Sequence, residues 1–209
     1  MEKKIEFFIF DLYDYTLKNI RDTYRMANFK DSPHFATHND YYTPKSAWEQ
    51  IEEYISKDKT IFECFMLNSN EQSKKYLQEI GYKVVGNKNV NFLDESTWTG
   101  EDFDIIVSNP PFERVSSYKK RHENLKYKCI KKLFDLDKPF VIILNSTNIF
   151  QKWFMELAEG KDIKFIFPSK KINYDKYKEG GEEKIEGKSA ASFNSIYVCY
   201  KVLDKNEWV

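Results

Sequence analysis

The segment that most limits what this chain can fold into is residues 104–112, Asp-Ile-Ile-Val-Ser-Asn-Pro-Pro-Phe. Ile105 to Ser108 are dominated by apolar side chains and read as a buried strand. The ladder of that strand must stop at Pro110 and Pro111, which have no amide hydrogen to donate. Pro110 also restricts Asn109 to extended backbone, so the Asn109 side chain projects from the strand's carboxyl end. In an open parallel sheet that edge is where ligands bind. The Asn109 amide oxygen and the Pro110 carbonyl can both accept from an exocyclic NH2, while Phe112 can stack on a flat base. The plainer reading is a strand that ends in a Pro-Pro turn beside a core phenylalanine.

The rest of the chain supplies a setting for such a strand. Thr43 and Pro44 stand where a helix N-cap and first helical residue belong, followed by Trp48, Ile51 and Ile55 on one face. Residues 60–66 are apolar apart from Glu63 and are expected to be the central strand. A helix over 70–80 is expected to end at Gly81, and a strand to cover 82–85. Further on, a helix is expected towards 136, a strand at 138–144, a helix at 145–159 capped around Ser146, and strands at 161–167 and 195–202. Alternating strands and helices predict a mostly parallel sheet with helices on both faces. The last two of these strands are joined by a loop with no helix, which predicts an antiparallel pair.

Taken with this order of elements, Asn109-Pro110-Pro111-Phe112 resembles the motif of the amino-methyltransferases, which methylate adenine N6 or cytosine N4 and, in some relatives, glutamine. The resemblance covers about residues 40–202. It implies a Rossmann-like class I methyltransferase fold with an antiparallel last strand, and S-adenosylmethionine as cofactor. By the same resemblance, Asn109 to Phe112 would be catalytic. Tyr42, Thr43 and Pro44, together with Glu63 and Phe65, would line the cofactor. An asparagine at the first motif position favours N6-adenine.

Four positions depart from the family pattern. Leu67 and Ser69 stand where it has glycines. Gly86, Asn87 and Lys88 follow the second strand where it has an acid for the ribose hydroxyls. A further family acid falls near residues 89–91, where the closest carboxylates are Asp94 and Glu95. These departures keep a second reading open: an inactive methyltransferase-like protein acting as a nucleic-acid-binding or structural subunit of a larger assembly.

The 33 basic and 33 acidic residues cancel, which argues against a chain that holds nucleic acid by bulk charge. A local basic face is the remaining route to DNA or RNA as partner. Lys119, Lys120 and Arg121 lie in a polar stretch at 113–122. Lys170, Lys171 and Tyr174 begin a longer basic and aromatic loop at 168–193. These loops are the candidate recognition surfaces, with a solvated surface as the alternative for the second. Residues 1–40 are expected to be an N-terminal helical extension, and 41–209 the methyltransferase-like domain.

Cys64, Cys129 and Cys199 are far apart within apolar segments, and His34, His38 and His122 lack acidic or cysteine partners at ligand spacing. No metal site is expected. This cysteine usage, the lack of a transmembrane-length apolar run and a start without a signal-peptide core lead to an expected reducing intracellular compartment, cytoplasm or nucleus, with no membrane association.

Overall fold

The structure, a computed structural model, describes residues 42–66, 71–111, 125–175 and 193–209. All of them belong to the compact unit Asn39–Val209. The expected helical extension at 1–40 and the loop at 113–122 lie outside the described residues, as do most residues of the 168–193 loop.

Among the described residues, seven strands form one sheet: β1 (Thr60–Phe62), β2 (Lys83–Val85), β3 (Ile105–Ser108), β4 (Phe140–Asn145), β5 (Ile163–Phe167), β6 (Ser195–Tyr200) and β7 (Glu207–Trp208), in the order β2-β1-β3-β4-β6-β5-β7. The β2-β1-β3-β4 half is parallel throughout. β6 inserts antiparallel between β4 and β5. This is the mostly parallel, Rossmann-like α/β sheet with the antiparallel strand that the alternation of elements predicts. β7 adds a short parallel pairing to β5 at the edge.

Strand alternation divides the core into two layers. Phe140, Ile142 and Leu144 pack on one face with Leu133 and Phe134 of α3 (Leu125–Asp135) and with Trp153 and Phe154 of α4 (Lys152–Ala158). Val141 and Ile143 point to the other face, against Ala47 and Trp48 of α1 (Lys45–Glu49) and Leu77 of α2 (Gln72–Glu79). Every residue of β3 and β6 is buried, as a strand covered on both sides requires. Cys64, Cys129 and Cys199 are buried free thiols.

Three local expectations change. Thr43 does not cap α1: the cap position is Pro44, in extended geometry and with no side-chain cap bond. The expected helix over 145–159 is two pieces, a 3-10 turn (Ser146–Phe150) and α4, separated at Gln151, whose backbone is extended. Its cap is Asn145 and not Ser146, since the Asn145 side chain accepts from the Thr147 N–H at 2.9 Å. The segment after β6 carries β7.

Candidate functional site

The strands β1, β3 and β4 are parallel, so their carboxyl ends share one edge of the sheet. Asn109 follows β3 directly at that edge. Its side-chain NH2 donates to Thr43 Oγ1 at 2.9 Å, joining two segments that lie 66 residues apart. Thr43 is buried. The Asn109 Oδ1 atom is buried with no hydrogen-bond partner among the described residues. A buried acceptor without a donor costs about 1–3 kcal/mol. Pro110 is buried and Pro111 half-buried beside it. Phe112 lies outside the described residues.

Thr43 is held from two sides. Tyr42 and Asp175 exchange backbone hydrogen bonds, Tyr42 N–H to Asp175 O at 3.0 Å and Asp175 N–H to Tyr42 O at 2.8 Å. Behind it, Tyr197 of β6 donates to the Ala47 carbonyl at 2.6 Å, tying α1 to the sheet. Pro44 starts α1 against this support.

Glu63 leaves β1 at the same edge and is 2 % exposed. Its carboxylate accepts from the Ser108 hydroxyl and from the Phe65 N–H at 3.0 Å. Burial pushes its carboxyl up to about 7, opposed by hydrogen bonds from Ser108, Phe65 and Ser73. Glu63 thus braces the end of β1 against Ser108, the residue before Asn109. Phe65 packs edge-on against Phe92, with ring centroids 5.0 Å apart.

Past β2 the backbone is closely fitted. Gly86 has φ +97°, and a Cβ there would stand 2.3 Å from the Glu63 carbonyl oxygen. No acidic residue can occupy that position without displacing β1. Lys74 of α2 donates to the Gly86 carbonyl at 2.7 Å. Glu71 accepts from the Lys88 N–H at 2.9 Å, and Asn87 Oδ1 accepts from the Asn89 N–H at 2.8 Å. This turn is therefore latched to the start of α2 by side-chain bonds that sequence spacing did not reveal. Leu67 and Ser69 lie outside the described residues. Asp94 accepts from Ser96, within its own turn.

The expected nucleic-acid residues separate. Lys170 and Lys171 are exposed. Tyr174, expected on a stacking surface, is fully buried in the α1-side core, where its hydroxyl shares a 2.6 Å hydrogen bond with Ser195. The correction has a simple cause: the Tyr42–Asp175 bridge draws residue 174 onto the sheet. Lys119, Lys120 and Arg121 lie outside the described residues. Among the described residues no group of acidic, histidine and cysteine side chains could hold a metal ion, and no helix is long and apolar enough to cross a membrane.

No protein-family model and no curated protein matches the chain. Among solved structures it is similar to a candidate class I S-adenosylmethionine-dependent methyltransferase from Listeria monocytogenes, at 10 % identity and a TM-score of 0.46, over 84 % of this chain and 67 % of that one. It is similar to a candidate rRNA methylase from Clostridium thermocellum, at 11 % identity and a TM-score of 0.37, over 78 % of this chain and 98 % of that one. A third is the modification subunit of a candidate type I restriction enzyme from Vibrio vulnificus YJ016, at 9 % identity and a TM-score of 0.38. That alignment covers 94 % of this chain, which spans about half, 49 %, of that subunit. Likenesses this distant carry no functional weight. The class defined by the chain's own geometry is a Rossmann-like α/β domain with a buried asparagine amide at the carboxyl edge of its sheet.

Proposed function

We propose that this chain is an amino-methyltransferase-like protein of nucleic acids, whose notch takes the exocyclic amine of a base, adenine N6 in preference. The observation that carries the reading is the buried, unpartnered Asn109 Oδ1. Thr43 occupies the amide's NH2 group, which leaves the oxygen as the acceptor offered to a donor. An amine held between Asn109 Oδ1 and the Pro110 carbonyl is drawn towards a pyramidal nitrogen with a more available lone pair. Both acceptors stabilise positive charge as that nitrogen is alkylated. Phe112 is assigned to stack on the base.

The methyl donor implied by this reading is S-adenosylmethionine, placed between the ends of β1 and β2. Leu67 and Ser69, on the loop that would hold it, lie outside the described residues. The Glu63 carboxylate is taken by Ser108 and Phe65, position 86 admits only glycine, and Glu71 is engaged by the Lys88 N–H. That closed turn favours the second reading, a protein that keeps the base notch and has lost methyl transfer.

Calorimetric titration with S-adenosylmethionine, paired with mass detection of N6-methyladenine after incubation with adenine-containing single strands, separates the two. Micromolar binding and a methylated product abolished by Asn109→Ala support the enzyme. A folded sample that binds adenine strands but shows no heat with the donor supports the binding protein and ends the enzyme reading.

A further inference from the structure

The edge strand β7 carries Trp208, whose side chain is 68 % exposed. One face of its indole stacks on Phe167, with centroids 4.4 Å apart and planes 21° from parallel. The backbone around it is clamped: the Val209 N–H donates to the Phe167 carbonyl at 3.0 Å, and the Ser169 N–H donates to the Val209 carbonyl. The ring is therefore fixed from below and open above. Lys170 and Lys171 follow directly and are exposed, with no acidic partner among the described residues. The acids of the adjoining strands are already engaged, Glu207 with Lys205 at 3.7 Å, and Asp162 before β5 with Lys164 at 2.5 Å.

A rigid aromatic face next to unpaired cations suits a single strand of nucleic acid. Bases of any identity stack on the ring, and lysines meet the phosphates. Its position fits as well. β4 and β5 both run antiparallel to β6, and β7 runs parallel to β5. Trp208 and Phe167 therefore lie at the same edge of the sheet as Asn109. Four strand spacings separate β3 from β7 in the sheet order, roughly 19 Å at ~4.8 Å each. That is about six stacked nucleotides at ~3.4 Å apiece.

We infer that Trp208, seated on Phe167 and flanked by Lys170 and Lys171, is a sequence-tolerant stacking platform for the single-stranded flank of a nucleic acid whose target base enters the Asn109 notch. The destination of the strand rests on the reading of that notch given above; stacking on the platform does not.

A labelled thymidine 12-mer tests it with the full chain, because thymine has no exocyclic amine to offer Asn109. In fluorescence anisotropy the wild type binds the 12-mer, Trp208→Ala weakens binding at least tenfold and Trp208→Phe stays near wild type. The pair Lys170→Ala and Lys171→Ala lowers the slope of log affinity against log salt by about 1.4. Equal affinities for wild type and Trp208→Ala overturn the inference, as does a wild type that fails to bind the 12-mer at all. A Trp208→Ala substitution that converts a dimer to a monomer with binding unaltered also overturns it and gives the face to a second copy of this chain. Each of these failures leaves the Asn109 notch untouched, since it is tested with adenine.

Discussion

Thr43 Oγ1 accepts the amide NH2 of Asn109 at 2.9 Å, and this bond orients the notch. With the NH2 group held by Thr43, the oxygen has no partner among the described residues. Replacing Thr43 by valine removes the acceptor and leaves a buried NH2 without one. Thr43→Val is expected to cost about 1–3 kcal/mol of stability by urea unfolding and to reduce the preference for amine-bearing bases. Thr43→Ser, which keeps the oxygen, should retain the preference. A valine variant with wild-type preference would mean that Asn109 is oriented by something else.

Glu63 gives the fold a pH dependence. Its carboxyl is pushed from the usual 4.5 up to about 7, first by burial. A folded-state value above the unfolded one means that the native state holds the proton more tightly. The contribution is full below about pH 4.5 and is lost as pH rises through 7, a change of about 3 kcal/mol. Comparing urea midpoints at pH 5 and pH 8 for wild type and Glu63→Gln isolates this group. The wild type should lose about 2 to 3 kcal/mol more than the glutamine variant over that range; parallel losses would show that Glu63 titrates normally.

Gly86 is expected to tolerate no side chain. Its φ of +97° is unfavourable for any L-residue, and the 2.3 Å approach to the Glu63 carbonyl is to backbone that cannot rotate away. Gly86→Ala should destabilise by about 3 kcal/mol or more, measured by thermal or urea unfolding. A neutral substitution would show that β1 and β2 are free to separate at their ends.

Tyr197 anchors the helix that carries the Thr43 segment. Its hydroxyl meets the Ala47 carbonyl at 2.6 Å and Gln50 Oε1 at 3.1 Å. Tyr197→Phe is expected to cost about 1–2 kcal/mol in urea unfolding, with the rest of the core retained. No loss would place the α1 anchor in its apolar contacts alone.

The strands were legible because a strand buried on both faces is written as an apolar run. Residues 105–108 and 140–145 are of that kind. What stayed hidden is long-range. Thr43 reads as a helix cap from its neighbours, but its hydroxyl is taken by an asparagine 66 residues later. Tyr174 reads as a loop aromatic, and only the pairing of Tyr42 with Asp175 puts it in the core. Gly86 stood out only as a missing acid, since its contact with the Glu63 carbonyl is a meeting of two strands. The two-residue β7 is too short for any period to show. Within the notch, Asn109 and Pro110 were readable from local backbone rules, and the orphaned oxygen was not.

The most direct test of the notch is to measure its preference for an amine. Affinities are compared for single strands that differ at one unpaired position, adenine against purine, which lacks the exocyclic NH2. The account expects at least a tenfold preference for adenine in the wild type, about 1.4 kcal/mol, and none in Asn109→Ala. Equal affinity of the wild type for the two strands would contradict it.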